Sequence, residues 1–523
     1  MILGQSSSKQ MATAASAGKA TLDDMFRRAA ARRPRAIALM DAPNRESFTD
    51  GAPRQLTYAQ ADRAVSAIAG RLNRMGLQTD SVVGLQMPNT VESVLTFLGI
   101  LRAGLIAAPL PLLWRSADVV TTLSRLGAKA LITTTRIGSV DYGDLAVRMA
   151  AEIFPIRYVC GFGSRIADGI VPFNDLLTIE TPDPLPSVER AVNAAAHLAV
   201  ITWDVSENGL VPVARNHFEM LAAGLAVVLE GRIAQDATIL SSLSMASFAG
   251  IALTVVPWLV SGGTLSLHHP FDAEIFAEQR RDHQCHTVIL PGQVVARMAE
   301  GGLLAGRHGF GRDGLKTVIA AWRAPERIAI SPVWRDSAAT LVDVHIFGET
   351  ALLAASRGSD GKAAPIVLGS VTAPRGAPGA VLVAEIQRTA TGTIALRGPM
   401  VPRFPFPPGA ERGSDPYLTV SADGLVDTGY TCRVEDDAKT VVVTGPPAGI
   451  VSFGGYRFVL SELQNLLARV GNDCTLTALP DALSGQRLAG SAPNRDQIQA
   501  ELAALGVNPL IVDAFRERRV AAS

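Results

Sequence analysis

The chain has 523 residues, 48% hydrophobic and 18% charged, which excludes both an intrinsically disordered segment and a small single-core domain. Its 48 Lys plus Arg balance 48 Asp plus Glu, so no global field draws it to nucleic acid or to anionic lipid. The balance hides a shortage of amines: lysine occurs only at 9, 19, 129, 316, 362 and 439, and none follows Lys439.

The first predicted helix is capped by Thr21 or Asp23 and runs through Arg33 to a stop at Pro34, and Ala36 to Met40 follows as a short apolar strand. Thr57 caps a second helix that ends at Gly76, with apolar positions at Val65, Ile68, Leu72 and Met75. Val82 to Gln86, Leu105 to Pro109 and Ala130 to Thr134 read as strands, separated by helices over Thr90 to Arg102 and Ser116 to Leu126. After a polar, Pro-rich stretch from Val171 to Pro186, the alternation resumes with strands at His197 to Thr202 and Ala237 to Leu243, and a helix from about His217 to Leu229 between them. Strands at Thr264 to Leu267, His286 to Leu290, Leu315 to Ala320 and Ala339 to His345 continue it. Such alternation predicts an α/β body with mostly parallel sheets covered by helices.

From Pro365 the chain becomes β-rich, with strands at Gly379 to Ile386 and Gly392 to Arg397, a Pro-rich loop from Pro399 to Gly413, and a hairpin-like unit around Leu425 to Thr444. The remainder reads as a small α+β C-terminal unit with helices at about Ser461 to Val470 and Arg495 to Leu505. Residues 1–20 read as a flexible tail without the apolar stretch of a signal peptide. The most apolar run, Ala249 to Val260, is interrupted by Pro257 and too short to cross a bilayer. Cys160, Cys285, Cys432 and Cys474 form no CxxC pair, and a cytoplasmic protein without a transmembrane segment is expected.

The order of segments, from DMFRRAAARRPRAIALM through LTYAQADRAVSAIAGRLNRMG to GIVSFGGYRFVLSELQNLLARV, resembles the adenylate-forming acyl-activating enzymes, the AMP-binding, acyl-CoA synthetase-like family. The resemblance implies a large domain over 21–444, a hinge over 445–449 and a shortened C-terminal domain over 450–523. It also implies ATP, magnesium, CoA and a carboxylic acid as partners of an active member.

The departures from the family pattern fall on the chemistry. The family cradles the ATP phosphates in a Gly, Ser and Thr loop followed by a lysine, because backbone amides and a point charge must meet the oxygens. Here the matching stretch, TWDVSENGLVPVARNH, carries Asp204 and Glu207, keeps Gly209, and offers Arg215 as its nearest cation. The aromatic-Gly-x-Thr-Glu motif resembles Phe347-Gly348-Glu349-Thr350-Ala351: Phe347, Gly348 and Thr350 match, Ala351 cannot hold a metal, and Glu349 is a displaced substitute. The ribose-binding Thr-Gly-Asp resembles Thr428-Gly429-Tyr430, with Asp427 beside it as an alternative carboxylate. The charged hinge is replaced by Gly445-Pro446-Pro447-Ala448-Gly449, while Gly454, Gly455 and Glu462 resemble the turn and acidic helix that follow it. Arg516, Arg518 and Arg519 stand near the end, where relatives carry a catalytic lysine.

In the acyl pocket, Ser247 falls in the stretch that replaces the family's Pro-x-x-His run, and Trp322 and Arg323 replace small residues. His283 and His286 share a spacing of three, with His268 and His269 nearby, but no acidic or thiolate partner is fixed, so no metal site is expected. Three readings follow. The first is an acyl-CoA synthetase-like protein with ordinary adenylation lost or strongly altered, binding an acyl, nucleotide-like or protein ligand, a homodimer partner included. The second is an active AMP-forming ligase passing an acyl group to CoA or a carrier protein. The third is a non-catalytic subunit of a complex.

Overall fold

Thr21 and Thr57 each close a capping box, with Asp24 and Gln60 answering three residues later, and so start the helices Leu22–Arg32 and Tyr58–Arg74 where the sequence predicts. Their apolar faces bury Leu22 and Phe26, and Val65, Ile68 and Leu72, against the wholly buried helix Val91–Arg102. The structure is a computed structural model that describes residues 19–186, 188, 193–304, 314–335, 339–403, 406, 417–453, 455–471, 473–481 and 485–516. Most of the N-terminal tail, Gly454, Arg518, Arg519 and most of the Pro-rich stretch 404–416 lie outside the described residues.

Two large sheets form the body. One has eight strands, ordered Ala351–Ser356, Thr340–Phe347, Thr317–Trp322, Thr287–Pro291, Thr238–Ser241, Thr264–Leu267, Ile37–Met40 and Gln55–Thr57. Its inner six are mutually parallel and its two edge strands antiparallel. The other has seven strands, ordered Gly209–Asn216, Leu198–Ser206, Ile106–Pro109, Val82–Gln86, Ala130–Thr134, Tyr158–Phe162 and Ile170–Pro172. It is parallel except for its first pair. A third, six-stranded antiparallel sheet follows from residue 366, and a separate apolar cluster around Phe453, Leu463, Leu467, Leu502 and Phe515 forms the core of the C-terminal segment. This is the predicted α/β body with a β-rich segment and a small α+β unit.

Three differences matter. The stretch expected to be a phosphate loop is a β-hairpin: Leu198–Ser206 and Gly209–Asn216 are paired up to Ser206 opposite Gly209, leaving only Glu207 and Asn208 as the turn. The helix Tyr142–Glu152 and strand Tyr158–Phe162 were not predicted. His283 and His286 do not share a helix face. His283 closes the helix Ala273–Asp282 and bonds Ser266, whereas His286 precedes the next strand and accepts the Thr238 N–H.

Candidate functional site at the seam between the large body and the C-terminal unit

Asp204 lies in the last turn-ward part of an otherwise buried apolar strand, where a carboxylate needs donors. It has them on both oxygens. Oδ1 accepts the Val205 N–H at 2.6 Å and pairs with the Arg457 guanidinium, while Oδ2 accepts the Glu349 N–H at 2.7 Å. Arg457 comes from the C-terminal ribbon Ile450–Phe453 and Tyr456–Val459, so this pair crosses the seam. Burial works against the Arg457 charge, but Asp204, Tyr430 and Glu349 more than offset it and hold its pKa above the ordinary arginine range.

Gly348 explains how the pair fits. Its φ of +57° is a left-handed conformation natural to glycine, and a Cβ there would lie 2.4 Å from Asp204 Oδ2 and 2.9 Å from Arg457 Nη1. Burial raises the pKa of the Tyr430 hydroxyl, with the nearby Gly348 backbone N–H acting against it. Tyr430 in turn meets fully buried Phe347 edge to face, with ring centroids 5.4 Å apart. The Phe347 ring, expected to take adenine, thus already has the chain's own phenol beside it.

Behind this pair sits a second charged layer. Arg215 is wholly buried, 3.7 Å above the Phe248 ring, with Nη2 bonded to the Glu349 and Thr350 carbonyls, the latter at 2.7 Å. Burial lowers its pKa to about 10, and Nη1 has no hydrogen-bond partner among the described residues. The Glu349 carboxylate turns to the start of the helix Phe248–Ser261, where Oε2 accepts the Phe248 N–H at 2.6 Å. Burial raises the Glu349 pKa, against the nearby Arg323 charge. Arg323 donates to the Ser247 hydroxyl, which also caps that helix by accepting the Gly250 N–H. Thr350 is buried, and its N–H bonds the Phe347 carbonyl.

The structure thus brings Arg215, Ser247, Arg323, Phe347, Gly348, Glu349, Thr350 and Tyr430 together. It does not bring in four other candidates. Trp322 turns into the neighbouring core, its indole N–H bonded to Asp343 at 2.8 Å and its ring filling the space beside Gly292. The Thr428 hydroxyl donates to the Ile394 carbonyl. The Asp427 carboxylate is engaged by the Gly429 N–H and the Thr393 hydroxyl. Gly209 faces Glu462 at the hairpin turn, beside a cleft of about 350 Å³ lined by Glu207, Asn208, Leu460, Ser461 and Gln464. Arg457 was missed by sequence reasoning. Its signal was indirect: an acid such as Asp204 in an apolar strand demands a cation from elsewhere.

These residues do not fit a magnesium ion held in the family's manner. Ala351 has no donor atom, and Glu349 is committed to a helix N-terminus beside Arg323. No group of three metal-ligating side chains occurs among the described residues.

Residues 26–165 match the family model described as AMP-binding enzyme. The amide bond synthetase McbA from Marinactinospora thermotolerans superposes with a TM-score of 0.69 at 16% identity, covering 94% of each chain. The chain thus has the fold of the adenylate-forming enzymes, and residues 26–165 of it are similar to AMP-binding enzymes. Cyclosporin synthetase of Tolypocladium inflatum is 30% identical over 169 residues, 32% of this chain and 1% of that protein. The medium-chain fatty-acid–CoA ligase of Escherichia coli K12 is 26% identical over 144 residues, 28% of this chain and 24% of that ligase. The chain therefore spans less than a third of the length of either of these two relatives. No described helix of this adenylate-forming fold is long and apolar enough to cross a membrane.

Proposed function

We propose that this chain keeps the acyl-activating scaffold but has closed its nucleotide face with its own side chains, so that ordinary ATP-dependent acyl-AMP formation is lost or strongly altered. What it then offers is a binding scaffold for an acyl, nucleotide-like or protein ligand. The observation that carries this reading is the Asp204–Arg457 pair seated against Gly348, with the rings of Tyr430 and Phe347 perpendicular and in contact. A triphosphate lying there would meet a carboxylate with both oxygens already bonded, and repulsion between like charges in a closed site is costly. The lysine-free phosphate stretch points the same way.

A second reading, an active ligase using ATP, magnesium and CoA or a carrier protein, draws support from the retained Phe347, Gly348 and Thr350 and from the ligases among its relatives. It requires the C-terminal ribbon to leave, taking Arg457 with it. Pyrophosphate exchange by the wild-type chain over a broad panel of carboxylic acids decides between them. The first reading expects no acid-dependent exchange. Exchange that Thr350→Ala abolishes would establish the second. A stoichiometric protein recovered by pull-down, with no thermal shift from ATP or AMP, would favour a subunit role.

A further inference from the structure

The donors around Asp204 form a site in their own right. They are one guanidinium from Arg457 and the backbone N–H groups of Val205 and Glu349. All converge on two oxygens of one small anion, and that anion is an aspartate side chain. Backbone N–H groups aimed at one point, one of them following the left-handed Gly348, with a guanidinium beside them, are the chemistry that binds phosphate oxygens. Several charges share this layer: Arg215, Arg323 and Arg457 lie among Asp204, Glu349 and Glu219, the last of which burial shifts to a pKa of about 7, and Arg215 Nη1 has no hydrogen-bond partner among the described residues.

We infer that Asp204 is a built-in anion occupying a latent phosphate-class site formed by Arg457, Val205 N–H and Glu349 N–H, and that it thereby latches the C-terminal ribbon to the large body. Removing the aspartate charge should turn the same cradle toward an external phosphate or diphosphate. The inference deepens the proposed function, since it says what excludes nucleotide phosphates. The geometry also says why Asp204 competes well. It is covalently attached, already oriented by its own neighbouring N–H, and loses little freedom on binding.

The test is Asp204→Asn in the full chain, which keeps the shape and removes the charge. Inorganic pyrophosphate and AMP are the probes, read by thermal shift and titration calorimetry. Pyrophosphate should bind the variant at least ten-fold more tightly than the wild type, and Asp204→Asn/Arg457→Gln should lose the gain. A comparable gain with AMP assigns the cradle to a single phosphate, and a gain confined to pyrophosphate assigns it to a diphosphate. If the variant folds only when pyrophosphate is added, that rescue supports the site. A folded variant with wild-type anion affinity, a gain that survives loss of Arg457, or a variant that neither anion rescues would overturn it. None of these readouts uses a carboxylic acid or turnover. Acid-dependent exchange by the wild type would therefore overturn the proposed function without deciding this inference.

Discussion

Two buried charge clusters in this molecule are built on different plans. In the large body, Arg45 bonds Glu92 with both of its terminal nitrogens at 2.8 Å, pairs with Asp41, and reaches the Asp50 and Gly51 carbonyls. Arg54 adds a second cation to Glu92 at 2.7 Å. Every partner comes from within residues 41–92, around the start of one helix, so the cluster belongs to a single core. At the seam, Asp204 and Arg457 lie 253 positions apart, and only the docked C-terminal ribbon brings them together. A core cluster of this kind rises and falls with the whole fold, whereas a seam cluster opens whenever two surfaces part.

The sharpest way to break the comparison is to remove one member of each. Glu92→Ala leaves Arg45 buried without its main carboxylate, and such uncompensated charges typically cost about 3–5 kcal/mol. The expected result is a lower midpoint of the whole unfolding transition in urea, with all probes moving together. Arg457→Ala should cost about 2–3 kcal/mol, confined to docking, because Asp204 retains two N–H partners and some access to water. Hydrogen exchange should then quicken in residues 450–459 and 204–206 while the helix Val91–Arg102 stays protected. Equal loss of protection in both regions would erase the distinction between core and seam. Gly348→Ala sharpens it further. The left-handed backbone costs about 1–2 kcal/mol, and the added methyl group displaces the pair, so the same seam amides should respond, more weakly.

The same division decides what could be read from the sequence. Local signals carried the body: Thr21 and Thr57 announce their helices, Gly127 ends Ser116–Leu126 in a left-handed conformation, and the apolar strands fall within a residue or two of prediction, except Leu198–Ser206, which runs four residues past the predicted end at Thr202. Even the missed helix Tyr142–Glu152 carried a signal, since Asp141 caps it by accepting the Asp144 N–H. The hairpin around Glu207 and Asn208 was hidden because its polar run, Asp204 to Asn208, resembles a loop until each polar group finds its partner. Those partners are distant in sequence. Asp204 is completed by Arg457 and Glu349, Trp322 by Asp343, and Arg215 by the carbonyls of 349 and 350, and no periodicity encodes such pairings. The candidate motif residues 347–350 were found from resemblance, but what fills the space in front of them was not.

The smallest expected effect tests the seam by pH rather than by truncation. Asp118, half-buried at the start of the helix Ser116–Leu126, has its pKa raised to about 7 by burial and by the Glu462 carboxylate across the seam, with Arg115 opposing. Burial raises the Glu462 pKa as well. Once the C-terminal unit parts from the body, Asp118 should titrate near the ordinary aspartate value of about 4. The docked form thus holds the proton more tightly than the parted form. The stabilising contribution is complete below about pH 4, declines as pH rises, and is gone above about pH 7. Docking should therefore weaken between these limits and level off beyond them. Asp118→Asn should flatten the profile and, at pH 8, protect the neighbouring seam bond from the Ala117 N–H to the Gly506 carbonyl better than the wild type does. Exchange at that amide, corrected for its intrinsic pH dependence, is the measurement. Protection that increases toward pH 8, or a slope unchanged by Asp118→Asn, would mean that the two acids do not face each other across a closing seam.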